Sequence, residues 1–323
     1  MVTCLFCNTK VFIPGDLHPL SSVPCSKCGH PIMMPLLLRN IELRTKIASG
    51  GMGTVYRAFD TVLEREVAVK LMKREIEQDA NGLASFYREA RAQATLNHTN
   101  IVQIYSYDEW EGRRYLVMEL ADRGTLDTRI EHEKHLPEID VLNIGIKIAS
   151  ALDLILQHNL IHCDIKPGNI LFNADGEPKL VDFGLSRKAD AEPDEDLRGT
   201  PYYVAPEKVK REKETFLSDM YSLGGTLYHA VTGHTPFEAP SVEELVAAQV
   251  HTPLTPPNQV LPEVTQLTSD ALAKTMAKNP ADRFLSYFEL RMALETARGT
   301  LLIHQSQSRD ADRPKGKTSW WRR

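Results

Sequence analysis

The chain has 323 residues, 42% of them hydrophobic, and a formal net charge of −5. This is enough chain for a sizeable core and about two domains, with no overall basic surface to recruit nucleic acid. It contains no apolar run of about 18 residues and no basic-then-apolar start, so neither a transmembrane segment nor a signal peptide is expected, a cytoplasmic location is, and the five cysteines do not read as a disulfide scaffold.

Residues 1–34 form a first unit. Cys4-Leu5-Phe6-Cys7 and Cys25-Ser26-Lys27-Cys28 are two C-x-x-C knuckles, the second followed by Gly29, which permits a tight turn. Residues 10–13 read as a short strand ending at Pro14-Gly15. So small a segment cannot bury enough apolar surface to fold alone, and four thiolates around one tetrahedral Zn²⁺ supply the missing stability. The pattern resembles a zinc ribbon, which makes Cys4, Cys7, Cys25 and Cys28 the candidate zinc ligands. The rival is one or two redox dithiols. Four sulfurs complete the shell, so His18 and His30 are expected at the surface. Apart from histidines the segment has only Lys10 and Lys27 as basic residues, too few to track phosphates, which favours a structural or protein-contacting knob. The apolar stretch 31–38, P-I-M-M-P-L-L-L, is bounded by prolines and cannot be a long helix. It is expected to pack onto the next domain, with 35–38 as the linker.

Residues 39–120 read as strand-rich with one helix. Runs at 41–48 and 54–60 flank Ser49-Gly50-Gly51-Met52-Gly53, whose glycines let the backbone approach phosphates and offer N–H groups to them. Alone, such a loop is often just a hairpin. Here Val67-Ala68-Val69-Lys70 follows, and a lysine ending a strand of alternating buried type needs a charge partner inside. Glu89, on a helix predicted at 83–96, is the candidate; the alternative is a surface ion pair of little worth. Residues 113–120 read as an inner strand.

The remainder to about residue 300 reads as mainly helical. Residues 138–158 carry Val141, Ile144, Ile148, Leu152 and Ile155 at helical spacing. Next comes I-H-C-D-I-K-P-G-N-I-L-F-N, a turn at Ala174-Asp175-Gly176-Glu177, then K-L-V-D-F-G-L. Asp175-Gly176 is a hairpin signal, and folding back there would let Asp164, Asn169 and Asp182 meet. Carboxylate and amide oxygens suit Mg²⁺ with phosphate partners, and a further carboxylate can take a proton from a hydroxyl. The expected chemistry is phosphoryl transfer from a nucleotide.

H-C-D-x-K-x-x-N followed by D-F-G, with Ala205-Pro206-Glu207 beyond, resembles the catalytic core of a eukaryotic-type protein kinase over residues 39–298. The stretches GGMGTVYRA, DMYSLGGTLYHAVTG and NPADRF are similar to bacterial serine/threonine kinases, as are Lys166-Pro167 and Gly199-Thr200-Pro201. The resemblance implies an α+β, two-lobed fold, with a β-rich small lobe at 39–120 and an α-rich large lobe at 121–298. It also implies the roles. Lys70, paired with Glu89, would hold the α- and β-phosphates of ATP under the loop Ser49, Gly50, Gly51, Met52, Gly53 and Thr54. Ile47, Val55, Ala68 and Leu171 would sandwich the base, with Met118 as gatekeeper and backbone groups of Glu119 and Ala121 meeting adenine. Asp164 would orient and deprotonate a protein hydroxyl, Lys166 would steady the γ-phosphate, and Asn169 and Asp182 would hold Mg²⁺. Asp219 would brace the catalytic-loop backbone and Arg283 would pair with Glu207.

Two positions depart from the family. Its first loop glycine is Ala48 here, which should stiffen the loop more than abolish binding. The arginine usually found before the catalytic aspartate, which grips an activation-loop phosphate, is Cys163. The stretch 186–199 has no threonine, only Ser186 at its start, and carries Asp190, Glu192, Asp194, Glu195 and Asp196. Activity independent of loop phosphorylation is therefore expected. Cys163 reads as a small core residue, with a redox role as the minor alternative. The polar tail 299–323 is expected to be disordered; Trp320-Trp321 beside Arg322 and Arg323 could touch a membrane surface or a partner. The expected function is a protein serine/threonine kinase. The rivals are a nucleotide-binding pseudokinase scaffold, which an Asp164→Asn comparison would expose, and a ribbon-led nucleic-acid adaptor, which salt-dependent binding by residues 1–38 would reveal.

Overall fold

The computed structural model describes residues 2–4, 6–12, 17–77, 79–189 and 200–311. Its strands are β1 (Val2–Thr3), β2 (Lys10–Val11), β3 (Ser22–Pro24), β4 (Pro31–Met33), β5 (Leu36–Leu38), β6 (Ile41–Ser49), β7 (Gly53–Asp60), β8 (Arg65–Met72), β9 (Ile104–Trp110), β10 (Arg113–Met118), β11 (Leu160–Ile161), β12 (Ile170–Phe172), β13 (Pro178–Leu180) and β14 (Arg187–Lys188). Its α-helices are α1 (Arg74–Glu77), α2 (Ala80–Ala94), α3 (Leu126–Glu133), α4 (Glu138–Gln157), α5 (Pro206–Val209), α6 (Phe216–Thr232), α7 (Val242–His251), α8 (Pro257–Val260), α9 (Gln266–Thr275) and α10 (Tyr287–Ala311). The chain divides into two compact units, residues 1–125 with 169–186, and residues 126–168 with 187–323.

The first unit is built on an antiparallel sheet in the order β5-β6-β7-β8-β10-β9. Successive side chains on a strand face opposite ways. Val67, Val69 and Leu71 of β8 therefore join Leu43, Tyr56, Ala58, Tyr115 and Val117 in one core. Met72 lies on the other face, with Phe86 and Ala90 of α2 and Leu116. The small hairpins β1–β2 and β3–β4 precede this sheet. The alternation continues through the join: Ile32 packs with Cys4, Val11 and Cys25, whereas Met33 enters the core of the large sheet.

Residues 35–38, expected as a linker, are not one. Leu36–Leu38 pair with β6 as the edge strand of the large sheet, and Leu38 is fully buried in its core. Met34 and Pro35 separate β4 from β5, and the three leucines that follow suit a β edge as well as a tether. The unit boundary also differs from the expected division at residue 120. Residues 121–125 and 169–186 group with the first unit because backbone bonds tie the β12–β13 hairpin there: Arg123 N–H donates to Phe172 O at 2.9 Å, Phe172 N–H to Gly124 O at 3.0 Å, and Val102 N–H to Leu180 O at 3.1 Å.

The second unit is helical. Its central helix α6 buries Met220, Tyr221, Leu223 and Leu227, and begins at a capping box in which Thr215 and Ser218 bond each other's backbone. Helix α4 buries the face carrying Val141, Ile144, Ile148, Leu152 and Ile155, as its spacing requires. Helix α10 continues to Ala311, so 299–311 is helical and the expected disordered tail is corrected over that stretch. Residues 312–323, including Trp320 and Trp321, lie outside the described residues. Among the described residues no helix is long and apolar enough to cross a membrane.

Candidate active site

In the first unit, β6 and β7 close as a hairpin in which Ala48 pairs with Val55 and Ser49 with Thr54, and Gly50 N–H donates to Gly53 O at 2.9 Å. A Cβ on Gly53 would sit 2.7 Å from the Leu71 carbonyl oxygen, so β8 admits only glycine there. Gly50 and Gly51 have open space around them. Their contribution is bare backbone, whose N–H groups a phosphate could reach. Ile47 and Ala48 are exposed near this tip, with Met52, Thr54 and Val55 half-buried.

Lys70 shares the helix-facing side of β8 with Met72, which explains its partner. Its Nζ lies 2.6 Å from Glu89 Oε1 on α2 and 5.7 Å from the Phe86 ring. Glu89 is buried and Lys70 partly so. A Cβ on Gly184 would lie 3.1 Å from Asp182 Oδ1 and 3.7 Å from Glu89 Oε2, so Asp182 and Glu89 flank that glycine. Asn169 O accepts the Val181 N–H at 3.0 Å, just beyond the Ile170–Leu180 pair, so Asn169 and Asp182 stand at the open end of one hairpin. Asp182 has φ +66°, the left-handed region, with Gly184 N–H donating to its Oδ1 at 3.3 Å, while Phe183 is buried beside it. A strained backbone carrying a carboxylate fits a functional position. Amide and carboxylate oxygens at this spot suit Mg²⁺, which keeps part of its water shell. The first unit thus gathers Lys70, Glu89, Asn169 and Asp182.

Met118 is the cross-strand partner of Ala68, and Leu171 bridges to Thr125. Glu119 N–H donates to Gln103 O at 2.9 Å, and its carboxylate is paired with Lys179, so its carbonyl is the group left to face a base. The Glu119–Lys179 pair was not anticipated. Its signal was a lysine in the centre of a three-residue buried strand, P-K-L, which needs a counter-charge.

In the second unit, Lys166 Nζ lies 2.8 Å from Asp164 Oδ2. The turn that presents Asp164 is held by Asp219 of α6, whose Oδ2 accepts the His162 N–H at 2.6 Å and whose Oδ1 accepts the Cys163 N–H at 2.8 Å. Both oxygens go to this turn because Cys163 has φ +67°. Burial raises the Asp219 carboxyl against the pull of nearby His162 and these donors. Burial, with Asp219 and Glu214 nearby, also pushes the Cys163 thiol up; a thiol kept protonated is a poor nucleophile, which counts against a redox role. Glu207 and Arg283 form a two-pronged pair at 2.7 and 2.8 Å, and the arginine also donates to Leu217 O and Ala277 O. The acidic run of the activation segment, 190–199, lies outside the described residues.

The cysteine sulfurs of Cys4, Cys7, Cys25 and Cys28 all lie within 4.8 Å of one another, with Cys4–Cys28 at 3.7 Å and Cys7–Cys25 at 3.6 Å. A tetrahedron of Zn–S bonds of about 2.3 Å has edges of about 3.8 Å. The two knuckles repeat one pattern. Asn8 N–H donates to Cys4 O and Gly29 N–H to Cys25 O, while Cys4 N–H reaches Thr9 O and Cys25 N–H reaches His30 O. Asn8 (φ +56°) and Gly29 (φ +74°) take the same left-handed position, so asparagine does in the first knuckle what glycine does in the second. Hydrogen bonds from Thr9 draw the Cys7 thiol down to about 6. Cys28 goes the other way, to about 12, because burial and the neighbouring sulfurs outweigh the His30 N–H. Four sulfurs this close cannot all ionise without a cation, so the residues fit Zn²⁺. His30 stacks on exposed Phe6 instead of joining them.

One sheet-based unit with a glycine-tipped hairpin and a lysine–glutamate pair, and one helical unit carrying the aspartate turn, are the two parts of a protein kinase fold. The protein kinase domain family matches residues 41–290, and the chain belongs to it. It is similar to bacterial serine/threonine kinases. It is 36% identical over 270 residues to the serine/threonine-protein kinase PknD of Mycobacterium tuberculosis, covering 82% of this chain and 40% of that protein. It is 35% identical over 262 residues to the serine/threonine-protein kinase PknH of Mycobacterium bovis, covering 79% and 44%. It is 32% identical over 256 residues to the probable serine/threonine-protein kinase PknB of Lactococcus lactis, covering 78% and 41%. The chain thus spans less than half the length of these curated relatives.

Proposed function

We propose that this chain is a serine/threonine protein kinase that transfers the γ-phosphate of ATP to hydroxyls of protein substrates. The observation that carries the reading is the 2.6 Å Lys70–Glu89 pair, set across Gly184 from Asp182. A lysine held this way presents its charge in a fixed place, which is what positioning a triphosphate requires. Lys70 binds the α- and β-phosphates beneath the 49–54 tip. Asn169 and Asp182 hold Mg²⁺, which when bound neutralises phosphate charge. Asp164 orients the substrate hydroxyl and takes its proton at a carboxylate oxygen, and Lys166 steadies the transferring phosphoryl group. Ile47, Val55, Ala68, Met118 and Leu171 line the base, with the Glu119 carbonyl and the Ala121 backbone at its edge.

The kinase domain spans 39–298 in this reading, works in the cytoplasm and needs no activation-loop phosphate, since Cys163 offers no charge to grip one. Residues 1–34 are a structural zinc ribbon, supported by the sulfur spacing and the paired knuckles. Radiolabelled transfer from ATP, on protein expressed with a phosphatase, tests the activity. Asp164→Asn should lower transfer by about 10²–10⁴-fold while nucleotide still binds. Wild-type protein that binds nucleotide and transfers nothing would hand the reading to the pseudokinase alternative. Metal analysis of the same sample should find one zinc per chain, lost in Cys4→Ser, Cys25→Ser; a cluster that takes up disulfides and no zinc would favour the redox reading.

A further inference from the structure

We infer that Glu214 is a positioning residue for phosphoryl transfer, a buried carboxylate tying the chain just after D-F-G to the chain just after A-P-E. Glu214 Oε1 lies 2.7 Å from an Arg187 guanidinium nitrogen, and its Oε2 lies 3.4 Å from Lys208 Nζ. All three side chains are largely withdrawn from water, and Glu214 is 4% exposed. Arg187 and Lys208 are 21 positions apart in sequence, on opposite sides of the activation segment, yet they share one counter-ion.

Each arm of this tie ends on a fixed element. Arg187 lies on β14, opposite Ile161 of β11, and Ile161 leads directly into His162-Cys163-Asp164. Lys208 lies on α5 next to Glu207, which Arg283 locks in place. Glu214 immediately precedes Thr215, the cap of α6, and α6 carries the Asp219 that holds the 162–163 backbone. A cavity of about 20 Å³, room for a single water, lies beside the tie and is lined in part by Cys163, Thr200, Lys208, Glu214 and Asp219. Arg187 and Lys208 bring two positive charges, Glu214 and Asp219 bring two negative ones, and Cys163 brings none. An internal carboxylate therefore meets both cations at the joint, and removing it takes away the counter-charge that the two share.

The inference rests on the kinase reading for its consequence but not for its geometry, and the test keeps the two apart. The full chain, phosphatase-treated, is compared with Glu214→Gln and Glu214→Asp by amide hydrogen exchange over 187–189 and 200–209. Steady-state transfer to a basic serine peptide and fluorescent-nucleotide binding are measured alongside. Glu214→Gln should speed exchange about tenfold, the worth of one charge-assisted contact, and raise the peptide KM by a similar factor, with nucleotide affinity within about twofold of wild type. Glu214→Asp should fall between the two. Lys208→Met should reproduce the exchange result, and it serves as the deciding variant if Glu214→Gln does not fold. Unchanged exchange, or a loss shared equally by nucleotide and peptide, overturns the assignment. If the wild type transfers no phosphate, the exchange still decides the tie, and only the kinase reading has failed.

Discussion

Arg283–Glu207 and Lys70–Glu89 each join elements far apart in sequence, and the two pairs are built for different ends. Arg283 and Glu207 are almost wholly enclosed (0% and 4% side-chain exposure), bond through two parallel prongs, and are satisfied further by Leu217 O, Ala277 O and the Ser218 hydroxyl. Lys70 and Glu89 make a single 2.6 Å contact, and the lysine keeps 18% exposure. An ammonium has three donors, and Glu89 takes one of them. A guanidinium with its fork filled by a carboxylate and backbone carbonyls has no chemistry left to do. The enclosed pair fastens the end of the kinase motif region to α6, and the open one holds a charge ready for a ligand.

The largest break in this comparison comes from Arg283→Met. It leaves the Glu207 carboxylate enclosed with no cation, held only by the Ser218 hydroxyl and its own backbone N–H, and should cost about 3–5 kcal/mol. Thermal or urea unfolding checks it, and a loss under about 1 kcal/mol would mean that Glu207 finds water or another cation. Acid offers a gentler break. Burial pushes the Glu207 carboxyl up, but Arg283 and Ser218 outweigh burial and hold it below its ordinary value of 4.5. A carboxyl depressed in the folded state stabilises above its unfolded value and loses that contribution as pH falls through the folded one. Stability should therefore drop below about pH 4.5 by less in Arg283→Met than in wild type, since the variant has already lost the interaction that depresses the carboxyl. Parallel pH profiles would refute this.

Much of this contrast was legible in the chain. The helix read at 138–158 rested on Val141, Ile144, Ile148, Leu152 and Ile155 at helical spacing, and α4 formed at Glu138–Gln157 with that face buried. Lys70 announced its need for a partner because V-A-V-K alternates, and alternation fixes which face a strand side chain takes. Less legible was whatever depends on what lies alongside. Leu36, Leu37 and Leu38 carry no sign of whether they tether or pair, since pairing is decided by the exposed edge of β6. The stretch 299–311 looked polar and loose, yet extending an established helix adds a hydrogen bond per residue without a new nucleus, so α10 runs on. Asn8 hid its match to Gly29 because the two residue types share only a tolerance for positive φ. Glu214 was invisible for a related reason: one more acid in R-E-K-E-T means nothing until Arg187 and Lys208 are brought to it.

The smallest effect on the fold, and the one that sharpens the comparison most, is expected from Lys70→Met. The thioether has similar length and keeps the side chain near the Phe86 ring, while Glu89 beside Gly184 can regain water or a proton. Glu89 is buried but Lys70 reaches solvent, so losing the pair should cost about 1–3 kcal/mol, less than Arg283→Met. Phosphoryl transfer should nevertheless drop to background, with nucleotide affinity weakened, because the missing group is the positive charge itself. Arg283→Met should show the reverse order, with a large melting shift and a specific activity, per folded molecule, close to wild type. If Lys70→Met melted as low as Arg283→Met, the open pair would be holding the sheet to α2 rather than waiting for a phosphate, and the division between fastening and chemistry would not hold.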